Sequence, residues 1–328
     1  MQNNEILYKI LIQEGGAILE MQKKRAWKQN EIVIFLMSIS GIAFLIIFAY
    51  IPMFGVVLAF KDGDRKLNVF ETILNSDWVG LYNFKAFFSD YNFKSIMKNT
   101  LGLNLLMLLI NFPAPIIFAL LINEVMHNKY KKTVQMITIF PNFISWMVFG
   151  GIVLNMMDVS TGIFNPLLEF LGLSSVENPV NLGEADYYWG TIIITSLIKG
   201  TGWGSIIYIA AIAGIPTDMY EAAKIDGVNR LQKIVYITLP SIAPTITVFL
   251  LLSISGLLNN SYEHLYVFQN AINLTKSEVL ATYVYKHGVV QQRYSYATAI
   301  GLFQSVVSVT LLTLSNAISK KTTGRGLF

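Results

Sequence analysis

Six long apolar runs, almost free of charged residues, constrain this 328-residue chain more than any other feature. A membrane-spanning helix needs about 20 mostly apolar residues, and each of the six runs is long enough. Buried helices of a soluble protein are the alternative, but six runs of this length do not fit it. We therefore predict an all-α, polytopic membrane protein with six transmembrane helices, at residues 31–60, 96–123, 134–156, 188–215, 241–260 and 297–319.

Composition excludes several other classes of protein. The chain is 54% hydrophobic and 13% charged, whereas a soluble domain carries about 25% charged residues. The absence of cysteine rules out disulfide scaffolds and thiolate metal sites, and three histidines are few for an imidazole site. The net charge of +4 is too small and dispersed for nucleic-acid binding. We predict no metal site, no cofactor bound by this chain and no catalytic residues.

The distribution of Lys and Arg between the loops predicts the orientation in the membrane. Fourteen of them lie in the two termini and in the loops after spans two and four. The loop after span three, residues 157–187, has none. Cytoplasmic loops carry the excess of positive charge. Both termini are therefore expected in the cytoplasm of a bacterial cell, with the chain in the plasma membrane as residues 1–30, a cytoplasmic arm, and 31–328, a transmembrane domain.

Two proline-containing segments predict local breaks. Pro113 and Pro115 lie inside the second span and predict a kink there. The loop between spans four and five has the signals of a short helix, with Thr217 or Asp218 as its N-cap and Gly227 as a left-handed stop.

The second half of that loop predicts a further short helix. It would run from Asn229 to Thr238 and end at Leu239-Pro240. The two helices would form a bracket, about 216–240, at the cytoplasmic surface. Ala222 and Ala223 carry no bulk, so a partner protein could approach closely, and Glu221 and Asp226 could pair with its Lys or Arg side chains.

The spacing in this bracket resembles the signature loop of binding-protein-dependent ABC importer permeases. The pattern is Glu-Ala-Ala, two residues, Asp-Gly, and Leu-Pro twelve residues after the glycine. Val228 departs from the alanine usual after the glycine. The matching residues are Glu221, Ala222, Ala223, Asp226, Gly227, Ile237, Leu239, Pro240 and Pro244.

The resemblance implies a type I importer permease of the MetI-like fold. Such a permease would pair with a second, homologous permease subunit, two cytoplasmic ATPase subunits and an extracellular solute-binding lipoprotein. The bracket would be the element that docks on the ATPase. This chain lacks a Gly-x-x-x-x-Gly-Lys-Ser/Thr loop, so ATP and Mg would be used by the partner ATPase.

The segment from Lys199 to Tyr208 is similar to the carbohydrate-uptake branch, and in particular to permeases for complex oligosaccharides and polysaccharides. We therefore expect a glycan as the substrate. The Ser261–His264 segment departs from the pattern of that branch, so the particular sugar stays open.

Candidate residues on the transport pathway follow from unusual side chains near or inside the spans. Lys199 could line the cavity, or it could snorkel to the outer surface. Gly200, Gly202 and Gly204 fit close helix packing or, less well, local unwinding. Aromatic faces can stack on sugar rings and amides can bind hydroxyls. The candidates are Lys199, Trp203, Tyr208, Asn259, Asn260 and Glu263.

Two other functions remain open from the residues alone. A channel or ATPase-independent transporter would need intramembrane carboxylates or an ion site, and Lys199 is the clear ionisable residue within the spans. A membrane enzyme would need paired acids or a histidine cluster at one interface. The adjacent pair Glu263 and His264 is weak evidence for such a site.

Overall fold

The computed structural model describes residues 29–63, 69–175, 177–324 and 326–327. This part of the chain is helical, and its β structure is one isolated antiparallel bridge between Lys61 and Trp78. The all-α prediction is confirmed. The chain divides into two compact units at Val56 and Val57. The predicted arm lies, up to residue 28, outside the described residues.

Seventeen α-helices account for most of the described residues, and short 3-10 or π turns join some of them without a loop. The first unit contains the start of the helical series, and the second unit contains everything after Val56. The α-helices are α1 Gln29–Leu45, α2 Ile51–Met53, α3 Val69–Asn75, α4 Tyr82–Phe88, α5 Phe93–Ile110, α6 Pro113–Asn123, α7 Asn128–Ile139, α8 Trp146–Met157, α9 Phe164–Phe170, α10 Ala185–Ala213, α11 Thr217–Ile225, α12 Arg230–Lys233, α13 Leu239–Ser255, α14 Tyr262–Val267, α15 Leu274–Ser277, α16 Leu280–Tyr285 and α17 Tyr294–Thr323.

Five continuous helical stretches of the described residues are long and apolar enough to cross a membrane. A sixth crossing is present if two helices that meet at 100° count as one. We call this bent pair span three and number the others around it. Spans one, two, four, five and six are Ile32–Phe60, Phe93–Asn123, Ala185–Ala213, Arg230–Ser255 and Tyr294–Thr322, and span three is Asn128–Phe143 with Trp146–Met157.

The prediction of a continuous third span was wrong. The first half ends in a 3-10 turn that contains Pro141, and Ile144 then adopts an extended conformation with φ −80° and ψ 134°. The second half starts at an N-cap, where Ser145 Oγ accepts a hydrogen bond of 3.3 Å from the amide of Val148. Hydropathy alone does not show such a break, because both halves are apolar.

Lys199 of span four stabilises the break in span three. Its side chain is buried, with the residue only 5% exposed. The ammonium group donates to the carbonyl of Asn142 at 3.0 Å and to that of Ile144, and it lies 4.9 Å from the ring centre of Trp146. A helix end leaves carbonyls without partners, and a buried carbonyl needs a donor. Lys199 therefore neither snorkels nor stays free for a substrate.

Proline positions explain the irregularities of spans two and five. Span two is interrupted at Asn111 and Phe112, directly before Pro113, where the sequence predicts a kink. In span five, the predicted helix end at Leu239-Pro240 was wrong, because the helix continues to Ser255.

A π turn, Ile234–Thr238, accommodates Pro240 within span five. Proline clashes with the carbonyl four residues before it, and the wider turn relieves that clash. In the π turn the amide of Leu239 bonds the carbonyl of Ile234, and the hydroxyl of Ser241 donates to the carbonyl of Ile237 at 2.7 Å.

Span four is an unbroken helix, so the unwinding alternative for its glycines does not apply. A Cβ on Gly202 would collide with the backbone carbonyl of Thr138 in span three, and one on Gly204 would lie 3.1 Å from Pro115 Cγ in span two. Gly200 faces open space. Close packing is therefore confirmed for two of the three glycines.

Three clusters of buried apolar residues hold the second unit together. One cluster joins spans two, four and five on the side of α11, and the other two lie around α14 to α16. The partly buried Tyr220 of α11 packs against the first of these. Its buried members are Ile116, Ala119, Tyr208, Ile212, Ile215 and Ile242.

Replacing Lys199 by Met should destabilise the protein, because two carbonyls at the break lose their donor. Leaving a buried hydrogen-bonding group without a partner costs about 1–3 kcal/mol. We expect the Tm in detergent to fall by about 5 °C, as 1 kcal/mol corresponds to about 2–4 °C in domains of 150–250 residues. Lys129→Met, at an exposed position of α7, is the control. Equal Tm values for the two variants would contradict this assignment.

Gly202→Ala and Gly200→Ala form a matched pair within one helix. The first substitution forces span four away from span three and should cost about 1–3 kcal/mol, as overpacking does. The second should be neutral or stabilise by up to about 1 kcal/mol, the helix propensity difference. Thermal unfolding in detergent measures both, and a stable Gly202→Ala variant would refute the packing explanation.

Candidate functional site

A cavity of about 540 Å³ lies between spans two, four and five, bordered by Trp146 of α8 and the segment that follows span five. Its lining mixes apolar and aromatic side chains with amides and hydroxyls. Among the described residues, the lining contains no Lys, Arg, Asp or Glu. The polar lining residues are Asn104, Asn111, Ser196, Tyr208, Ser253, Asn259, Asn260, Ser261 and His264.

Two asparagines join span two to the segment after span five at the cavity. The amide groups of Asn104 and Asn260 bond each other reciprocally, with both N–O distances at 2.7 Å. The Asn104 amide also donates to the carbonyl of Leu257 at 2.6 Å. Nearby, Asn259 donates to the hydroxyl of Ser308 in span six at 3.1 Å. These contacts fix the amides at the lining in defined orientations.

Other polar groups of the lining are less fully bonded. Asn111 lies at the interruption of span two, and its Oδ1 atom is buried without a hydrogen-bond partner among the described residues. The ring of Tyr208 is buried and packs edge-on against Phe249, with 6.1 Å between ring centres. A buried acceptor without a partner favours a donor from a ligand or water.

An aromatic stack closes one side of the cavity. The rings of Trp146 and His264 are 3.7 Å apart and nearly parallel, at 16°. His264 Nε2 lies 3.0 Å from the hydroxyl of Thr195 in span four. Burial, and secondarily the charge of Lys199, lowers the pKa of His264 to about 3, so its ring is neutral at pH 7. The stack therefore adds polar aromatic surface without adding charge.

The structure separates the six sequence candidates for the pathway into two groups. Tyr208, Asn259 and Asn260 lie on the cavity lining. The other three, Lys199, Trp203 and Glu263, do not.

Each of these three residues has other surroundings in the structure. Lys199 is held at the break of span three. Trp203 is 51% exposed and packs edge-on against Phe143, 6.0 Å away. Glu263 lies on α14, whose buried positions are His264 and Leu265.

Sequence reasoning missed Asn104 and Asn111 as parts of the site. Both lie in span two, which is otherwise strongly apolar. A polar residue within such a span usually faces protein or a cavity rather than lipid. That signal was available, but the pairing of Asn104 with Asn260 depends on contacts between distant parts of the chain.

The signature loop forms the predicted short helix, α11, with one difference at its start. Pro216 is the N-cap and no side chain caps the helix, so the predicted cap by Thr217 or Asp218 was wrong. Gly227 has φ +73°, as predicted for a left-handed stop. The amides of Val228 and Gly227 bond the carbonyls of Ala223 and Lys224 at 3.0 and 3.3 Å. This is a Schellman motif, which fixes the turn after α11.

Most of the predicted contact residues are exposed, on α11 or in the segment that follows it. Glu221, Ala222 and Asp226 are exposed, as are Gly227, Leu239 and Pro240. Ala223 is only 7% exposed, so its small side chain packs within this chain and does not face a partner. This corrects the expectation that both alanines form the open surface.

Comparison with known proteins agrees with this geometry. Residues 111–324 match the family described as the inner membrane component of binding-protein-dependent transport systems. Protein LplB of Bacillus subtilis (strain 168) is 41% identical over 295 residues, which cover 90% of this chain and 91% of LplB. The polygalacturonan/rhamnogalacturonan transport system permease protein YteP of the same organism is 38% identical, with 90% of each chain covered.

A solved structure has the same fold. It is a chain of a bacterial ABC transporter involved in the import of the acidic polysaccharide alginate, with a TM-score of 0.79 and 34% identity over 90% of this chain and 97% of that chain. The match agrees with the MetI-like permease fold predicted from the sequence. The chain described here therefore belongs to the family of inner membrane components of binding-protein-dependent transport systems, and it is the permease of an ABC importer and not an enzyme.

Proposed function

We propose that this permease imports an oligosaccharide and that the cavity of about 540 Å³ is its part of the transport pathway. The observation that carries the proposal is the lining, in which amides and hydroxyls alternate with aromatic rings. Such groups hydrogen-bond sugar hydroxyls and stack on the apolar faces of sugar rings. The similarity to YteP and to the alginate transporter supports a glycan substrate.

The lining further supports recognition of sugar hydroxyls over sugar carboxylates by this subunit. None of its described lining residues is ionised, since His264 is neutral and the others are amides, hydroxyls or apolar groups. A carboxylate in the pathway would need a cation or several donors to replace its water. For an acidic glycan, those groups would come from the second permease subunit.

The proposed assembly follows the family. We propose a heterodimer of this chain with a second, homologous permease subunit, two ATPase subunits that use ATP and Mg, and an extracellular solute-binding lipoprotein. A structure similar to this chain was solved in complex with an alginate pentasaccharide-bound periplasmic protein, which supports a binding protein as partner. The excess of Lys and Arg in alternate loops supports cytoplasmic termini and a cytoplasmic position for α11.

In this assembly, α11 would be the contact with the ATPase. Glu221, Ala222 and Asp226 form an exposed surface of small and acidic side chains, which suits a groove containing Arg or Lys. The Schellman turn at Gly227 keeps this surface in a fixed position relative to the start of span five. ATP-driven movement of the ATPases would then reach the spans through α11.

Tyr208→Phe tests the cavity. It removes one hydroxyl without changing the ring, so uptake of a glycan that this hydroxyl binds should fall about fivefold, the effect of about 1 kcal/mol. Uptake into proteoliposomes containing the complete transporter would be measured with labelled fragments of polygalacturonan, rhamnogalacturonan and alginate, and with a neutral oligosaccharide. Trp203→Phe, outside the lining, is the control. Unchanged uptake of every glycan in Tyr208→Phe would argue against this cavity as the pathway.

Gly227→Val tests the coupling role of the loop. Valine at φ +73° costs about 1–2 kcal/mol and should displace the exposed face of α11. Gly172→Val is a matched control, because Gly172 has φ +72° and, like Gly227, open space around its Cβ position. We expect ATP hydrolysis by the assembled transporter to lose its stimulation by the glycan-loaded binding protein in Gly227→Val alone. The same loss in both variants would indicate general strain and contradict the coupling role.

A further inference from the structure

An ion pair joins the end of span two to the start of span five, beside α11. Glu124 directly follows α6, and Lys233 is the last residue of α12. The Lys233 ammonium lies 2.9 Å from Glu124 Oε1 and donates to Oε2 at 3.1 Å. The two side chains are 28% and 16% exposed, respectively. The partners are 109 residues apart in the chain, so this contact exists only in the folded protein.

Tyr220 extends this contact to α11. Its ring centre lies 5.8 Å from the Lys233 ammonium, and its hydroxyl is 3.1 Å from that of Thr238, which is fully buried in span five. The ring also packs against the apolar cluster that joins spans two, four and five. Spans two and five and α11 therefore meet at Lys233.

Spans two and five also line the cavity, about 2.5 to 4.5 helical turns further along, together with span four. Phe112 and Pro115 come from span two, Tyr208 from span four and Phe249 from span five. Movement of α11 that is passed on to spans two and five would therefore change the shape of the cavity. Without a rigid joint, α11 could move while the spans stay in place.

We propose that Glu124, Lys233 and Tyr220 form a latch that transmits the movement of α11 to spans two and five. This rests on the proposed function, in which α11 contacts the ATPase. A partly exposed ion pair adds little to stability, but this one ties two helix ends together, with one hydrogen bond to Glu124 Oε2 and a charge contact to Oε1. Lys233 is a positioning residue in this scheme: it touches neither substrate nor nucleotide and acts through Glu124 and Tyr220.

The absence of cysteine from the sequence allows a test that needs no knowledge of the glycan. Ser253→Cys places a single thiol on the cavity lining of span five, and its rate of reaction with a charged maleimide would be measured in vesicles of the complete transporter, with and without Mg-ATP. The chain that carries Ser253→Cys alone is the background chain. In it, we expect Mg-ATP to change the rate of maleimide reaction several-fold. Lys233→Met should reduce the change to less than twofold, and so should Glu124→Gln.

Variants that restore the ion pair distinguish a positioning role of Lys233 from general damage to the fold. Lys233→Arg and the charge-swapped pair Glu124→Lys with Lys233→Glu should each recover at least half of the ATP-dependent change. Lys129→Met, which removes an exposed charge from α7, should leave the ATP-dependent change in reaction rate as large as in the background chain. A full ATP response in Lys233→Met, or no recovery in both Lys233→Arg and the swapped pair, would overturn the latch.

A second thiol distinguishes failure of the latch from failure of the coupling proposal. Glu221→Cys, at an exposed position of α11, should cross-link to the ATPase subunit both in the otherwise unchanged chain and with Lys233→Met. With Lys233→Met, we expect the cross-link to the ATPase to remain and the ATP-dependent change in thiol reactivity at the cavity to be lost. No cross-link in the otherwise unchanged chain would overturn the assignment of α11 as the ATPase contact, and the latch with it. A cross-link lost only with Lys233→Met would show that the residue shapes the contact itself and would also overturn the latch.

Discussion

The need to pair every backbone amide and carbonyl inside a membrane governs this structure. Hydrocarbon offers no hydrogen bonds, so each irregularity in a spanning helix needs a local replacement. At the break in span three, Lys199 supplies donors to two carbonyls and Ser145 caps the next helix. At Pro240, a π turn serves the same purpose, because the amide of Leu239 there bonds the carbonyl of Ile234. The bent span is thus a stable element with its own set of contacts.

These replacements also build the cavity. The break that Lys199 stabilises places Trp146 at the start of α8, where it stacks on His264. The interruption of span two at Pro113 places Asn111 on the lining, with an oxygen that has no hydrogen-bond partner in the part of the chain that the structure describes. Part of the polar lining of the proposed pathway therefore arises where the helices depart from regular geometry, and the described lining residues include no Lys, Arg, Asp or Glu. Such a surface can bind hydroxyls and still release the substrate.

The proposed coupling to the ATPase places a different demand on the same helices. The surface of α11 has to be accessible, and Glu221 and Asp226 are exposed. Its opposite face has to be held tightly, and Ala223 is buried while Tyr220 contacts the apolar cluster. The small residue at position 223 therefore serves packing within the permease. The contacts of Lys233 with Glu124 and Tyr220 connect this face to two spans that line the cavity.

The sequence by itself determined the membrane class, the positions of the spans to within several residues at most ends, and the left-handed turn at Gly227. These features depend on composition over about 20 residues or on one residue with a special backbone preference, so local information suffices. The permease family also followed from the short pattern around Glu221. The tertiary structure decided the 100° bend in span three, the role of Lys199, and the pairing of Asn104 with Asn260 and of Glu124 with Lys233. Each of these depends on which groups lie close together after the helices pack, and neither hydropathy nor helix propensity contains that information.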